Sequence, residues 1–152
     1  MGKCQSCGRC RRHSRRSGGR PSVTALVIEA SVLVSLWLDL GDSPTISRRL
    51  EGTTLHAADH LFVEAVNVLR RRRNTGHLDR AAAETAFAGV TAAPIRRWPF
   101  ALVSERMREL GPDVSTCDPA YVARAERLRA PLLTRDVKLS RVPGMRCDIE
   151  IC

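Results

Sequence analysis

Four acidic residues lie where their carboxylates could act together: Glu29, Glu64, Asp118 and Asp136. Each falls beside or within an apolar segment, and carboxylates in such surroundings are costly unless they are paired, hydrogen-bonded or bound to a metal. Four of them in one small domain suggest a site for a hard divalent cation such as Mg2+ or Mn2+. This pattern predicts a metal-dependent hydrolase, because a bound cation can activate water and offset charge on a phosphate.

Short apolar segments alternate with helical patterns from residue 23 onward, which predicts an α/β fold with a central parallel sheet and helices on both faces. We expect Asp59 and Asp79 to cap the helices that follow them. The predicted strands cover residues 23–28, 54–57, 94–97, 131–133 and 147–151. The predicted helices cover residues 31–40, 45–51, 59–73, 79–90, 99–110, 118–129 and 137–140.

This predicted fold gives the acids a reason to converge. Glu29 and Asp136 follow strands, and open parallel sheets hold functional groups beyond the carboxyl ends of their strands. Asp118 begins a predicted helix, where the helix dipole favours an anion. Glu64 should point inward, since it shares a helix face with apolar neighbours three and four residues away. For each acid a purely structural role stays open: an N-cap, a helix start or an arginine pair.

Length and charge limit the classes of protein. The 152 residues suit one domain, and no apolar run is long enough to span a membrane, so we expect a cytoplasmic protein without a membrane partner. The net charge of +9 is concentrated in residues 1–22, which contain seven basic and no acidic side chains. We interpret residues 1–22 as a disordered arm and residues 23–152 as the folded domain. A polyanionic partner is compatible with this charge.

The arm also contains three of the six cysteines, and Cys4, Cys7 and Cys10 together with His13 are ligand types that zinc prefers. Their spacing matches zinc motifs poorly. A second interpretation is that the arm is not part of the functional protein and that translation starts near Val23. Disulfides are not expected, given the cytoplasmic location and the sizeable core.

Around the acids, five segments resemble the PIN-domain ribonucleases of the VapC toxin type. The likeness extends in the same order over about residues 23–152, and it is specific as a combination although no single segment is. The matching segments are 27–34, 56–71, 115–126, 130–139 and 143–147.

The resemblance implies a PIN-like three-layer α/β/α fold and an endoribonuclease toxin of a type II toxin–antitoxin system. It further implies an RNA substrate, a small antitoxin that blocks the acidic pocket, a homodimer, and Mg2+ or Mn2+ as cofactor. Catalytic roles would fall to Glu64, Asp118 and Asp136, with Glu29 as a fourth metal ligand. Ser115 matches a hydroxyl position near the metal, although a plain role before the helix is an equal alternative.

Two positions depart from the family pattern. Cys117 stands where a tyrosine is common, which we interpret as a packing change. Glu29 stands where aspartate is expected, and its extra methylene moves the carboxylate by ~1.5 Å, about one C–C bond. Magnesium requires near-ideal octahedral distances. The alternative function is therefore a catalytically weakened or silent PIN-like module that binds antitoxin or RNA.

A basic run, Arg70, Arg71, Arg72 and Arg73, ends the helix that contains Glu64. Basic side chains complement the dipole at a helix C-terminus, which is the simpler explanation. Contact with RNA phosphates is the functional alternative. Aromatic residues form only 4% of the chain, so a base-stacking surface is not expected.

Overall fold

The computed structural model describes residues 24–110, 118–142 and 144–152, and for Asp118 the backbone only. The arm of residues 1–22, Ser115 and Cys117 lie outside the described residues. The five strands are β1 Thr24–Ile28, β2 Thr53–Ala58, β3 Arg96–Trp98, β4 Leu132–Thr134 and β5 Ile149–Ile151. The helices are α1 Ala30–Trp37, α2 Ser43–Leu50, α3 Leu61–Asn74, α4 Arg80–Ala92, α5 Ser104–Leu110 and α6 Asp118–Leu128, with 3-10 turns at Phe100–Leu102 and Leu139–Arg141.

The strands form one parallel sheet in the order β3-β2-β1-β4-β5, with Val27 of β1 opposite both His56 of β2 and Leu132 of β4. The central strand β1 is apolar on both faces because helices cover both. Val27 belongs to a large core cluster that includes residues of α3 and α6, whereas Ile28 belongs to a smaller cluster with Ile46 of α2. The arrangement confirms the expected three-layer α/β/α fold.

Most predicted elements are present, because their signals are local. Asp79 caps α4 as expected, its carboxylate accepting a hydrogen bond of 2.8 Å from the backbone N–H of Ala82. The prediction for Asp59 is wrong: His60 holds the N-cap position of α3, and the Asp59 carboxylate instead lies 3.6 Å from the Arg97 guanidinium of β3. The preference of aspartate for a cap was outweighed by a partner on a neighbouring strand.

Several helix boundaries also differ from the prediction, among them the end of α1, which lies at Trp37 and not at Leu40. The single helix expected over residues 99–110 is a 3-10 turn followed by α5, which begins at Ser104. Helix α2 begins at Ser43, two residues before the predicted start, and has Pro44 in its first turn. Proline is well tolerated there because the first backbone N–H groups of a helix have no partner within it.

A bidentate ion pair joins the last strand to α2. The Arg49 atoms Nε and Nη2 lie 2.5 and 2.9 Å from the two carboxylate oxygens of Glu150. Cys147 and Cys152, the cysteines in the described part of the domain, are free thiols.

None of the helices within the described ranges is long and apolar enough to cross a bilayer.

Candidate active site

Glu29 and Asp136 lie at the same edge of the sheet, because they follow the adjacent parallel strands β1 and β4. The Thr134 hydroxyl connects them. It donates a 2.7 Å hydrogen bond to Glu29 Oε1 and accepts a 2.9 Å hydrogen bond from the backbone N–H of Asp136. Sequence reasoning placed both acids at strand ends, and the structure brings these two ends together through one threonine.

The Glu29 carboxylate is buried, with 6% of its surface exposed, and one of its oxygens is heavily engaged. Besides Thr134, Oε1 accepts hydrogen bonds from the Ser31 hydroxyl and from the backbone N–H of Arg135, the latter at 3.2 Å. Hydrogen bonds to a charged acceptor each contribute about 1.5–3 kcal/mol. The longer side chain of glutamate is thus used to join the ends of β1 and β4.

Arg135 extends this connection to the helices. Its backbone N–H contacts Glu29, and its guanidinium Nε lies 2.6 Å from Asp42 Oδ2 in the segment before α2. A hydrogen bond from the Ser35 hydroxyl and the charge of Arg135 hold the pKa of Asp42 below its usual range. The ionised carboxylate of Asp42 therefore stabilises, through Arg135, the edge of the sheet where Glu29 lies.

Asp136 is more accessible than Glu29. Its Oδ1 accepts a 2.8 Å hydrogen bond from the backbone N–H of Lys138, which fixes the turn after β4. Within the described part of the chain, Oδ2 has no hydrogen-bond partner. Asp136 consequently keeps one carboxylate oxygen available to a ligand.

Glu64 lies in the first turn of α3 and is half-buried, in agreement with the inward orientation that its spacing predicted, and it faces α6. The buried Tyr121 of α6 donates its hydroxyl hydrogen bond to Glu64 Oε2. The ring nitrogen Nε2 of His60 lies 3.7 Å from the same oxygen, and the His60 and Tyr121 rings pack edge to face. An arginine partner was one alternative for this carboxylate; the described structure supplies a tyrosine.

The remaining predicted residues are placed as follows. Asp118 is the first residue of α6, three residues before Tyr121, so its backbone lies at the end of the helix that contacts Glu64. Arg70 to Arg73 occupy the last turns of α3, ~9–14 Å along the helix axis from Glu64. Glu29 and Asp136 thus share one edge of the sheet, Glu64 contacts the helix that Asp118 begins, and the arginine run lies at the other end of α3.

Thr134, Ser31 and Tyr121 are site residues that the sequence analysis did not identify. Thr134 had a recognisable signal, since a threonine two residues before an aspartate commonly bonds to the backbone in a turn. The partners of Tyr121 and Thr134 are 57 and 105 residues away in the sequence. No local pattern encodes such contacts.

Carboxylate oxygens are the donors that a hard cation prefers, so the residue types at this edge fit Mg2+ or Mn2+. Among the side chains that the structure describes, which exclude that of Asp118, no three histidine, cysteine or acidic residues form a metal-binding group. The free oxygen of Asp136 favours coordination, whereas the engaged oxygen of Glu29 disfavours it.

Similarity to known proteins shows the family of this chain. The PIN domain model matches residues 26–145, which includes β1 with Glu29, α3 with Glu64, and β4 with Asp136. This chain belongs to the PIN-domain family. Ribonuclease VapC12 of Mycobacterium tuberculosis is 32% identical over 126 residues, covering 83% of this chain and 98% of that protein. Ribonuclease VapC1 of the same organism is 29% identical over 127 residues, covering 82% of this chain and 96% of that protein.

Solved structures agree on the PIN fold. VapBC2 from Rickettsia felis, solved bound to a DNA fragment from its promoter, superimposes with a TM-score of 0.61 at 13% identity, covering 84% of this chain and 98% of that chain. PAE2754 from Pyrobaculum aerophilum gives a TM-score of 0.59 at 23% identity, covering 89% of this chain and 88% of that chain. At these identities the likeness establishes the fold alone.

Proposed function

We propose that this PIN-domain protein is a VapC-type toxin that cleaves RNA phosphodiester bonds in a reaction dependent on Mg2+ or Mn2+. Its relatives are named as VapC ribonucleases, and the match covers most of both chains. The observation that carries the proposal for this chain is the bridge from Glu29 through Thr134 to Asp136. It joins two acids at the carboxyl ends of adjacent strands, the position where parallel sheets hold catalytic groups.

In this proposal Glu64, Asp118 and Asp136 hold the cation, with Glu29 as an altered fourth ligand and Ser115 in support. A divalent cation bound there would lower the pKa of a water molecule and offset charge on the scissile phosphate. Asp136 would offer its free Oδ2, while the turn to Lys138 fixes its orientation. Tyr121 would hold Glu64 in place through its hydroxyl, since both side chains are at least half-buried.

The proposed partners are an RNA substrate, a small antitoxin protein and a second copy of the chain. An antitoxin that covers the acidic edge would block the approach of RNA to Asp136. The arginine run Arg70 to Arg73 is a proposed contact for RNA phosphates, because three of its four side chains are exposed.

The test compares wild type, Asp136→Asn and a control variant, Glu105→Gln, for cleavage of a structured RNA. Glu105 is an exposed acid in the first turn of α5, so its substitution removes the same charge from a solvent-facing position. We expect cleavage by wild type and Glu105→Gln with Mg2+ or Mn2+, its loss in EDTA, and at least a 100-fold loss in Asp136→Asn, as for a misplaced catalytic group. Cleavage that persists in EDTA or in Asp136→Asn would contradict the proposal.

A second candidate function, a catalytically silent PIN-like binding module, is favoured by the engagement of Glu29 Oε1. Three hydrogen-bond donors would then keep this oxygen from coordinating a cation. The site would retain its geometry but have no catalytic activity. This module would bind RNA or antitoxin normally, yet wild type would cleave no RNA with either metal. The cleavage test above therefore separates the two functions.

A further inference from the structure

Helix α6 ends in a conformation that normally selects glycine, yet the residue there is Arg129. The backbone N–H of Arg129 bonds to the carbonyl of Glu126 at 3.1 Å, and that of Ala130 bonds to the carbonyl of Ala125 at 3.0 Å. This pair of hydrogen bonds defines the Schellman termination, whose left-handed residue is usually glycine. Arg129 adopts a φ of 51°.

Positive φ at a residue with a side chain is costly, and arginine has no short polar group to offset the cost. Among the described residues Asp39 is the other non-glycine residue with positive φ, and aspartate tolerates that region better. The chain thus keeps an arginine where a glycine would relieve backbone strain. Such strain points to a role for the side chain.

Arg129 lies beside other unpaired arginines. Together with Arg127 and Arg146 it lines a depression of about 520 Å3 beside α5 and α6. All three side chains are exposed, and within the described ranges none forms an ion pair. We call Arg127, Arg129 and Arg146 the basic patch.

Acidic groups near the basic patch neutralise it only in part. Glu126 lines the same depression and lies 2.7 and 3.1 Å from Arg106, which also lies 2.8 Å from Glu109, so these three side chains together carry one negative charge. Asp148 lines a neighbouring depression and has no ion pair in the described structure. The three guanidinium groups of the patch therefore exceed the acidic charge around them by about one.

The chemistry of the patch suits phosphate groups. Guanidinium groups present planar pairs of donors that match phosphate oxygens. No aromatic side chain lines the depression, so bases have no surface on which to stack. The expected ligand is thus the sugar-phosphate backbone of a nucleic acid.

The patch is remote from the acidic edge. Arg129 and Asp118 lie at opposite ends of α6, ~16 Å apart along the helix axis at 1.5 Å per residue. That span corresponds to roughly five stacked nucleotides at ~3.4 Å each. A substrate that touches both must therefore be longer than about five nucleotides.

We propose that the basic patch binds backbone phosphates of the RNA substrate several nucleotides from the cut, selecting for structured RNA over short fragments. This inference rests on the proposed RNA-cleaving function and adds a second contact surface to it. It separates substrate binding at the patch from chemistry at the acidic edge.

The test measures the affinity of the full chain for a labelled structured RNA and for a trinucleotide, each as a function of salt. Arg127→Gln with Arg129→Gly is compared with Arg48→Gln with Arg80→Gln, which removes equal charge from exposed positions on α2 and α4. The basic arm is present in both proteins, so its contribution cancels.

We expect the patch variant to weaken binding of structured RNA by ~10-fold or more near ~0.1 M salt and to reduce the salt slope by about 1.4–1.8, as for two lost phosphate contacts. The loss for the trinucleotide should be much smaller, because it is too short to contact both the patch and the acidic edge. Arg129→Gly alone should weaken RNA binding without lowering the melting temperature, whereas a purely structural arginine would show the reverse.

Equal losses in the patch and control variants would overturn the proposal, as would unchanged binding in the patch variant. A patch variant that loses affinity for duplex DNA or for an acidic peptide, but not for RNA, would assign the patch to that ligand instead. Binding is measured without cleavage, so a protein that cleaves no RNA would contradict the proposed function and still allow this test.

Discussion

Arg124 provides the sharpest prediction, because it is a buried cation without an anionic partner among the described residues. Only 1% of its surface is exposed, and within that part of the chain neither Nε nor Nη1 has a hydrogen-bond partner. Its guanidinium carbon lies 3.2 Å from the centroid of the Trp98 ring. The Trp98 indole N–H in turn donates a 2.9 Å hydrogen bond to His56 Nδ1.

The magnitude follows from these contacts. Burial, with a contribution from nearby Arg127, lowers the pKa of Arg124 to about 10. A fall of roughly 2.5 pH units disfavours the charged side chain by ~3 kcal/mol, at about 1.36 kcal/mol per unit. Stacking on a desolvated tryptophan offsets about 2 kcal/mol of this cost. Methionine would fill the same space, contact the ring through its sulfur and require no hydrogen bonds.

We therefore expect Arg124→Met to raise the free energy of unfolding by about 1–3 kcal/mol, within the range seen when buried ionic groups are replaced by apolar ones. The corresponding rise in melting temperature is ~2–4 °C per kcal/mol for a chain of this size. Urea unfolding followed by circular dichroism measures the change. Arg108→Met is the control, since that arginine of α5 is exposed and its substitution should stay within ~0.5 kcal/mol.

The pH dependence has a definite sign. Because the folded pKa of Arg124 is lowered, its penalty is fully present below about pH 10 and is relieved as the pH rises toward the unfolded pKa. The advantage of Arg124→Met should be constant from ~pH 8 to ~pH 9, above the titration of His56, whose pKa burial and Arg124 lower, and should shrink above ~pH 10. A loss of stability in Arg124→Met greater than ~1 kcal/mol would refute the reasoning, because the guanidinium contacts would then outweigh the cost of burial.

Three further substitutions test contacts at the site and in the core. Glu29→Asp should withdraw the carboxylate from its donors, lowering unfolding free energy by about 1–3 kcal/mol in urea titrations. If the extra methylene impairs catalysis, the same variant should cleave RNA faster, and unchanged cleavage would remove that explanation. Tyr121→Phe should lower stability by about 1–3 kcal/mol, because Glu64 loses a donor; an unchanged urea midpoint would show that the hydrogen bond is dispensable. Gly89→Ala would place a Cβ 2.3 Å from a Trp37 ring carbon. Thermal melts should show a loss of about 1–3 kcal/mol despite the better helix propensity, and a gain would mean that the exposed ring moves aside freely.

Local sequence signals predicted most of the fold, and their failures share a cause. The apolar run of β1 and the Asp79 cap of α4 depend on neighbours in the chain, so both predictions were confirmed. Asp59 has an equally good local signal for a cap but pairs with Arg97 across the sheet. A helix cap contributes about 1 kcal/mol to stability, and a single ion pair can contribute a similar free energy, so a tertiary contact can override the local preference.

The amino-acid sequence by itself determined which acids could serve the site and at which ends of strands and helices they lie. Periodicity and chain order encode those facts, and they were sufficient to indicate a PIN-like fold. Tertiary structure alone decided how each carboxylate is held: Glu29 by the Thr134 hydroxyl of the neighbouring strand, and Glu64 by Tyr121 of α6. It also decided that Arg124 is buried and that Arg129 takes a left-handed conformation. The physical reason is that burial and long-range hydrogen bonds depend on what packs against a residue, which no local pattern specifies.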